Sequence, residues 1–368
     1  MAPEATTVAL SPGKLLNLVR LADRDGRFRM LAVDQRDSLR AALAQATDRP
    51  PSQVAYAELA RVKSLITSTL APYATAVLVD PVYGLPHAVP LIPRDVGLLA
   101  ALEETGYEHA GEDGRERRAR LVEGWSVGQV KRSGANAAKL LLHYSPDASA
   151  ATRAHQQALA QAVGEACVRA DLPFLLEVVA YPLNAPATDT PEFARDRPRY
   201  MVAAAEEFSQ ERYRVDVLKL ELPADLRYCR PFHHGVFDGR ERPAVYTVRE
   251  VRAACRAVTD AARPPWVLLS GGVGIDEFLM GLELAIEAGA SGFLCGRAIW
   301  QPALTVYPDL TAMEAWLATA GVRNLLRAGA AVVGARPWFA PVGGPGAHLQ
   351  VQDAGETWFR KYGNSGTS

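Results

Sequence analysis

Two lysines occupy segments that otherwise read as buried β-strand: Lys219 in VDVLKLELP (215–223) and Lys139 in NAAKLLLHY (136–144). Strand alternation puts Val217, Lys219 and Glu221 on one face and Leu218, Leu220 and Leu222 on the other. A buried ammonium is costly unless it is paired or has lost its proton. The chain has 40 basic residues but only six lysines (Lys14, Lys63, Lys131, Lys139, Lys219 and Lys361), so arginine carries most of the surface charge. Arginine cannot supply a neutral amine, and lysine can. Desolvation and a second positive charge nearby both lower a lysine's pKa, leaving a nucleophile that attacks a ketone to form a Schiff base. The competing reading is a structural ion pair with a neighbouring strand carboxylate, which keeps the amine protonated.

Further groups fall at the same kind of position. Glu177, in PFLLEVVAY (173–181), alternates with Leu175 and Val179 and serves as general acid and base if its pKa is raised; otherwise it is a lysine counter-ion. Asp34, closing RMLAVDQ (29–35), can hold a lysine, accept a substrate hydroxyl, or cap the next helix. Gln35, Arg36 and Asp80 also stand at strand ends. Ser270, Gly271 and Gly272 in WVLLSGG (266–272), with Gly296 and Arg297 after SGFLC, suit an anion: small residues let backbone N–H groups approach it, and Arg297 adds a charged donor. His233 and His234 have no third ligand at metal-site spacing. Cys295 reads as strand core, and Arg115, Arg117, Arg118 and Arg120 as a solvated face.

Placing these groups together requires a scaffold of strand ends. Apolar, β-rich segments occur at 29–35, 75–80, weakly at 120–126, and at 136–144, 173–181, 215–222, 266–272 and 291–296. Amphipathic helical stretches lie between them, at 52–73, 152–170 and 275–290. Eight strands alternating with helices predict an α/β fold, a (β/α)8 TIM barrel, whose reactive groups gather at the C-terminal ends of the strands. An open doubly wound sheet is the alternative, but DQRDSL stands where its GxGxxG would follow the first strand. We expect one barrel domain over 1–340 and a tail, 341–368, flexible in part. Loops are expected at 109–120, 184–200 and 227–243.

A formal net charge of −1 gives no reason to expect nucleic acid or an anionic membrane. No apolar run approaches the roughly 20 residues of a membrane span, and the N-terminus lacks the pattern of a secretory signal. Four scattered cysteines without a CxxC pair point away from metal and disulfides and toward a reduced, cytoplasmic setting. No cofactor is called for.

Several longer motifs fall in the order found in class I tagatose 1,6-bisphosphate aldolases: LAVDQRDSLR, LVDPVYGLP, EETGYE, GWSVGQVKRSGANAAKLLLHY, LEVVAY, FSQERYRVDVLKLELP and LLSGGV…LCGRAIW. From about residue 28 to 300 the chain resembles that family. The resemblance implies a metal-free carbon–carbon lyase acting on a small sugar phosphate. A ketohexose 1,6-bisphosphate is cleaved reversibly to dihydroxyacetone phosphate and glyceraldehyde 3-phosphate. It implies Lys219 as the Schiff-base lysine, Glu177 as acid/base, and Lys139 and Asp34 in support. Substrate and phosphate contacts fall on Gln35, Arg36, Ser270, Gly271, Gly272, Leu294, Gly296 and Arg297. A homo-oligomer, dimer or tetramer, is compatible with the family. A related branch cleaves 6-deoxy-6-sulfofructose 1-phosphate with the same lysine chemistry, and a non-catalytic sugar-phosphate-binding barrel would keep the glycine loops without needing a neutral lysine. The stretch GEDGRERRAR and the tail have no counterpart in the resemblance.

Overall fold

In the computed structural model, which describes residues 7–340 and 347–362, the strand alternation becomes two apolar layers. Eight parallel strands form a closed barrel: β1 (Phe28–Val33), β2 (Ala76–Val79), β3 (Gly97–Ala101), β4 (Ala137–Tyr144), β5 (Phe174–Ala180), β6 (Val217–Leu220), β7 (Trp266–Leu268) and β8 (Gly292–Cys295). Each is hydrogen-bonded to the next in chain order, and β8 returns to β1. This is the TIM barrel that the strand-helix alternation predicts.

Inward-facing Phe28, Met30, Ala32, Leu78, Leu99, Ala137, Leu175, Val217 and Val267 fill the interior. Outward-facing Leu31, Val77, Leu140, Leu176, Leu218 and Phe293 pack in the layer shared with the surrounding helices. Helix Pro12–Leu21 and Trp338 contribute Leu18, Leu21 and the indole to the inner cluster, closing the end where the strands begin. Beyond it, strand Thr7–Leu10 pairs in parallel with His348–Val351. The tail expected from 341 is therefore described in part; residues 341–346 and 363–368 lie outside the described residues.

Helix starts follow local chemistry. The Ser149 hydroxyl accepts from Thr152 N at the head of Ala150–Arg169, and Thr247 and Glu250 form a reciprocal capping box for Val248–Ala261. The expected helical stretches correspond to Tyr56–Leu70, Ala150–Arg169 and Ile275–Ala288.

Two expectations need correction. The third barrel strand is Gly97–Ala101, not 120–126; Glu116–Arg118 instead forms an antiparallel hairpin with Glu108–Ala110. The segment GLLAA contains no β-branched or aromatic residue, so its strand character comes from pairing on both sides rather than from its own preference. The stretch 184–200 is only half loop, because Pro191–Phe208 is a helix with Pro191 in its first turn and Thr190 as its cap. A second proline, Pro198, sits inside that helix and disguises it in the sequence.

Barrel closure depends on a close approach at the start of β8. Gly292 has φ of 137°, and a Cβ there would lie 1.9 Å from the Phe28 carbonyl oxygen. Gly292→Ala should destabilise the protein by about 2 kcal/mol or more, read as a lower denaturation midpoint in urea; an unchanged midpoint would contradict this account of the closure.

Candidate active site

The upper end of the barrel interior is charged where the lower end is apolar. On β5 and β6, Glu177 and Lys219 are register partners, so their side chains leave the sheet side by side. Lys219 Nζ lies 2.9 Å from Glu177 Oε2. Lys139, on β4, approaches the same oxygen at 2.7 Å. It also donates to Asp34 Oδ2 at 2.9 Å and to Glu103 Oε1 at 2.5 Å. One ammonium thus meets three carboxylates carried by or following β1, β3 and β5. Lys139 is fully buried, hydrogen-bonded to two carboxylates and ion-paired with the third, whereas among the described residues Lys219 has a single carboxylate partner.

Burial pushes the Asp34 and Glu177 carboxyls up, but the charges of Lys139 and then Lys219 outweigh it and hold both below the usual carboxylate range. For Lys139, burial favours loss of the proton, but Asp34, Glu103 and Glu177 raise it well above the ordinary lysine value. Of the two sequence readings of Glu177, the geometry matches the lysine counter-ion, with its carboxyl lowered rather than raised. It rests as a carboxylate between two lysines.

Glu103 escaped the sequence reading. It follows β3, the strand that was misplaced, and its Oε2 accepts from Leu141 N on β4, which fixes the carboxylate against Lys139. The motif EETGYE contained it, but nothing local marks which of its acidic residues turns inward. A second buried pair lies close by: Lys63 Nζ is 2.6 Å from Asp80 Oδ2 and donates to the Val33 carbonyl at 2.5 Å. That bond holds the backbone just ahead of Asp34. Burial, only partly offset by Asp80, leaves Lys63 below the ordinary lysine value.

The remaining predicted groups divide. Gln35 and Gly296 come together: a Cβ on Gly296 would lie 2.3 Å from Ala32 O and 3.1 Å from Gln35 Nε2. Gln35 Oε1 is buried and has no hydrogen-bond partner among the described residues. Gly271 and Gly272 have φ of 60° and 90°, and the Arg297 guanidinium rests against Gly272, joining the loops after β7 and β8. Leu294 belongs to the inner apolar cluster. Ser270 and Gly271 line a cavity of about 260 Å³ together with Arg117, Val179 and Glu221. That cavity lies beside the lysine cluster rather than on it.

Arg36 is not brought to the loops after β7 and β8: it pairs with Glu104 at 3.2 Å and donates to the Glu103 carbonyl, anchoring the end of β3. Glu221 accepts from Ala180 N and pairs with Arg197. His233 and His234 stay in the 227–243 loop, near Arg242 O and Glu241. Burial pushes the Cys295 thiol up to about 12. Among the described residues no three His, Cys, Asp or Glu side chains are grouped as a metal site would need.

A lysine with one carboxylate partner beside a second, fully committed lysine, at the C-terminal end of a (β/α)8 barrel, is an arrangement suited to imine chemistry. The model of the DeoC/LacD family aldolases matches residues 28–302. The chain belongs to that family. Similar chains include the tagatose 1,6-diphosphate aldolase of Staphylococcus haemolyticus (strain JCSC1435), 37% identical over 319 residues that cover 86% of this chain and 94% of that one. That of Lactococcus lactis subsp. lactis is 34% identical over 322 residues, with the same coverage. The fructose-bisphosphate aldolase of Plasmodium falciparum shares the fold with a TM-score of 0.64, at 14% identity, covering 89% of this chain and 97% of that chain.

The charge balance of this DeoC/LacD aldolase has a measurable consequence. Asp34 and Glu177, lowered in the folded state, contribute stability that is present above the ordinary carboxylate values and lost as acid approaches their lowered ones. Lys139, raised, contributes stability that is present below its ordinary value of 10.5 and lost only when pH climbs through the raised one. Lys139→Met leaves three carboxylates crowded without their cation. It should cost about 3–5 kcal/mol at neutral pH, and the deficit should narrow below about pH 4.5 as the carboxyls take up protons. Urea denaturation at several pH values checks this; a deficit that does not vary with pH would contradict it.

Proposed function

We propose that the protein is a class I aldolase that cleaves a ketohexose 1,6-bisphosphate, tagatose 1,6-bisphosphate foremost, to dihydroxyacetone phosphate and glyceraldehyde 3-phosphate through an imine on Lys219. The observation that carries this reading is the single Glu177 oxygen shared by Lys219 at 2.9 Å and Lys139 at 2.7 Å. The names of the two bacterial relatives support the sugar.

In this mechanism the Lys219 ammonium passes a proton to Glu177, and the neutral amine attacks the C2 ketone. One proton of the attached nitrogen moves to the new alkoxide, and Glu177 returns its proton to the resulting hydroxyl, which leaves as water and yields an iminium ion. Glu177, again a carboxylate, removes the C4 hydroxyl proton. As the C4 carbonyl forms, the C3–C4 bonding pair moves into the C2 iminium and gives an enamine. Protonation at C3 and hydrolysis then release dihydroxyacetone phosphate. Lys139, held cationic by three carboxylates, cannot compete as nucleophile; it fixes Glu177 and faces the developing charge. The loops after β7 and β8, with Arg297, hold the C1 phosphate and so set C2 against Lys219. Gln35 contributes its free carbonyl oxygen to a substrate hydroxyl. The four cysteines are free and buried, which supports a cytoplasmic setting.

Steady-state cleavage of tagatose 1,6-bisphosphate, coupled to detection of the triose phosphates, tests the assignment. Lys219→Met should abolish turnover, and Glu177→Gln should reduce kcat by about 10²–10⁴-fold. Chelator should leave the rate unchanged. A Lys219→Met protein that still turns over would reduce Lys219 to a structural lysine.

A further inference from the structure

The hairpin of Glu108–Ala110 and Glu116–Arg118 is not the solvated arginine face that its sequence suggests. Arg115 donates to the Ala185 carbonyl, Arg118 to the Thr152 hydroxyl, and Glu116 is buried on Ser149. Arg117 is half-buried, its guanidinium 4.5 Å from the ring centre of Tyr107 and 4.8 Å from that of Tyr181. Its backbone N–H donates to the Tyr181 hydroxyl at 3.2 Å, and its carbonyl accepts from Gln156 at 3.1 Å. The side chain is therefore clamped rather than free.

Position and charge give the clamp its meaning. Tyr107 follows β3 and Tyr181 follows β5, and Tyr107 also meets His143, on β4, edge to face at 4.9 Å. Arg117 thus sits over β4, and in a closed eight-stranded barrel β4 stands opposite β8. Arg297 opens the short helix after β8. Among the described residues no carboxylate lies within ion-pair distance of either guanidinium. The neighbouring Arg36, Arg197 and Arg227 are all paired, with Glu104, Glu221 and Asp225. Aromatic faces orient a guanidinium without cancelling its charge. The field of Arg117 remains strong enough that, after burial, it is the next cause holding the His143 imidazole down to about 4. Two uncommitted guanidinium groups therefore stand at opposite rims of the barrel, and Lys219, on β6, lies between them around the ring.

Building on the aldolase reading, we infer that Arg117 receives the anionic group on C6 of the substrate. Arg297 and the glycine loops take the C1 phosphate. Arg117 is then a specificity-determining residue that selects ketoses charged at both ends over ketose 1-phosphates. A phosphate and a sulfonate present the same oxygen face to a guanidinium, so either can fill this position.

The test compares wild type, Arg117→Met and Arg117→Lys in cleavage of three substrates: a ketohexose 1,6-bisphosphate, a 6-deoxy-6-sulfoketohexose 1-phosphate and a ketohexose 1-phosphate. Methionine keeps an apolar body between the tyrosines. We expect Arg117→Met to lower kcat/KM about 10- to 100-fold, chiefly through KM, on whichever doubly charged substrates the wild type cleaves. The ketohexose 1-phosphate rate should be unchanged, and Arg117→Lys should recover part of the loss. The arm in which the wild type is faster tells phosphate from sulfonate. An equal loss on all substrates, or none on the doubly charged ones, overturns the proposal. A wild type that cleaves none of the three overturns the aldolase reading as well.

Discussion

The site rests on one shared atom, the Glu177 oxygen that lies between two lysines. Placing an ion in a protein interior costs several kcal/mol even after relaxation, and this cluster brings five ionisable groups together. The arrangement is tenable because the charges alternate: Asp34, Glu103 and Glu177 surround Lys139, and Lys219 sits on the outer side of Glu177. Lys139 is thereby fixed as an ammonium, which leaves Lys219 as the amine with a base at hand and fewer competing partners.

No single strand can build such a cluster. Its members come from the first, third, fourth, fifth and sixth βα units, and only a closed barrel brings these ends together. Register decides the detail. Pairing Glu177 with Lys219 across β5 and β6 sets them side by side, while Lys139 pairs with Leu175, two residues earlier, and so approaches Glu177 from below. The apolar layer beneath, closed by helix Pro12–Leu21, withholds water from the lower side of the cluster. Arg36 and Lys63 do related work on the backbone, the first tying the end of β3 and the second holding the Val33 carbonyl beside Asp34.

Much of this was legible in the residue pattern, and its failures share a cause. Seven strands stood out as short apolar runs set off by turn residues and helical stretches. The third did not, because GLLAA carries the residues of a helix and becomes a strand only between two neighbours. With it went Glu103. A lysine in an apolar strand announces itself, whereas a carboxylate just past an unrecognised strand looks like surface. The charge state of Glu177 stays open in the sequence for a related reason: burial alone raises a carboxyl, and the opposing pull of two lysines depends on distances that strand spacing does not contain. Arg117 looked solvent-facing because the hairpin pairing that folds it back on Tyr107 is not visible in the sequence and Tyr181, on its other side, is remote. Local preference reveals elements; pairing across the barrel assigns their charges.

The central claim is that Lys219, and not the better-buried Lys139, bonds to substrate carbon. Borohydride reduction of the protein incubated with dihydroxyacetone phosphate, followed by intact mass and peptide mapping, addresses it without depending on the sugar. The account predicts a single triose phosphate adduct on the peptide containing Lys219. An adduct on Lys139, or no adduct in protein that binds the triose phosphate, would contradict it.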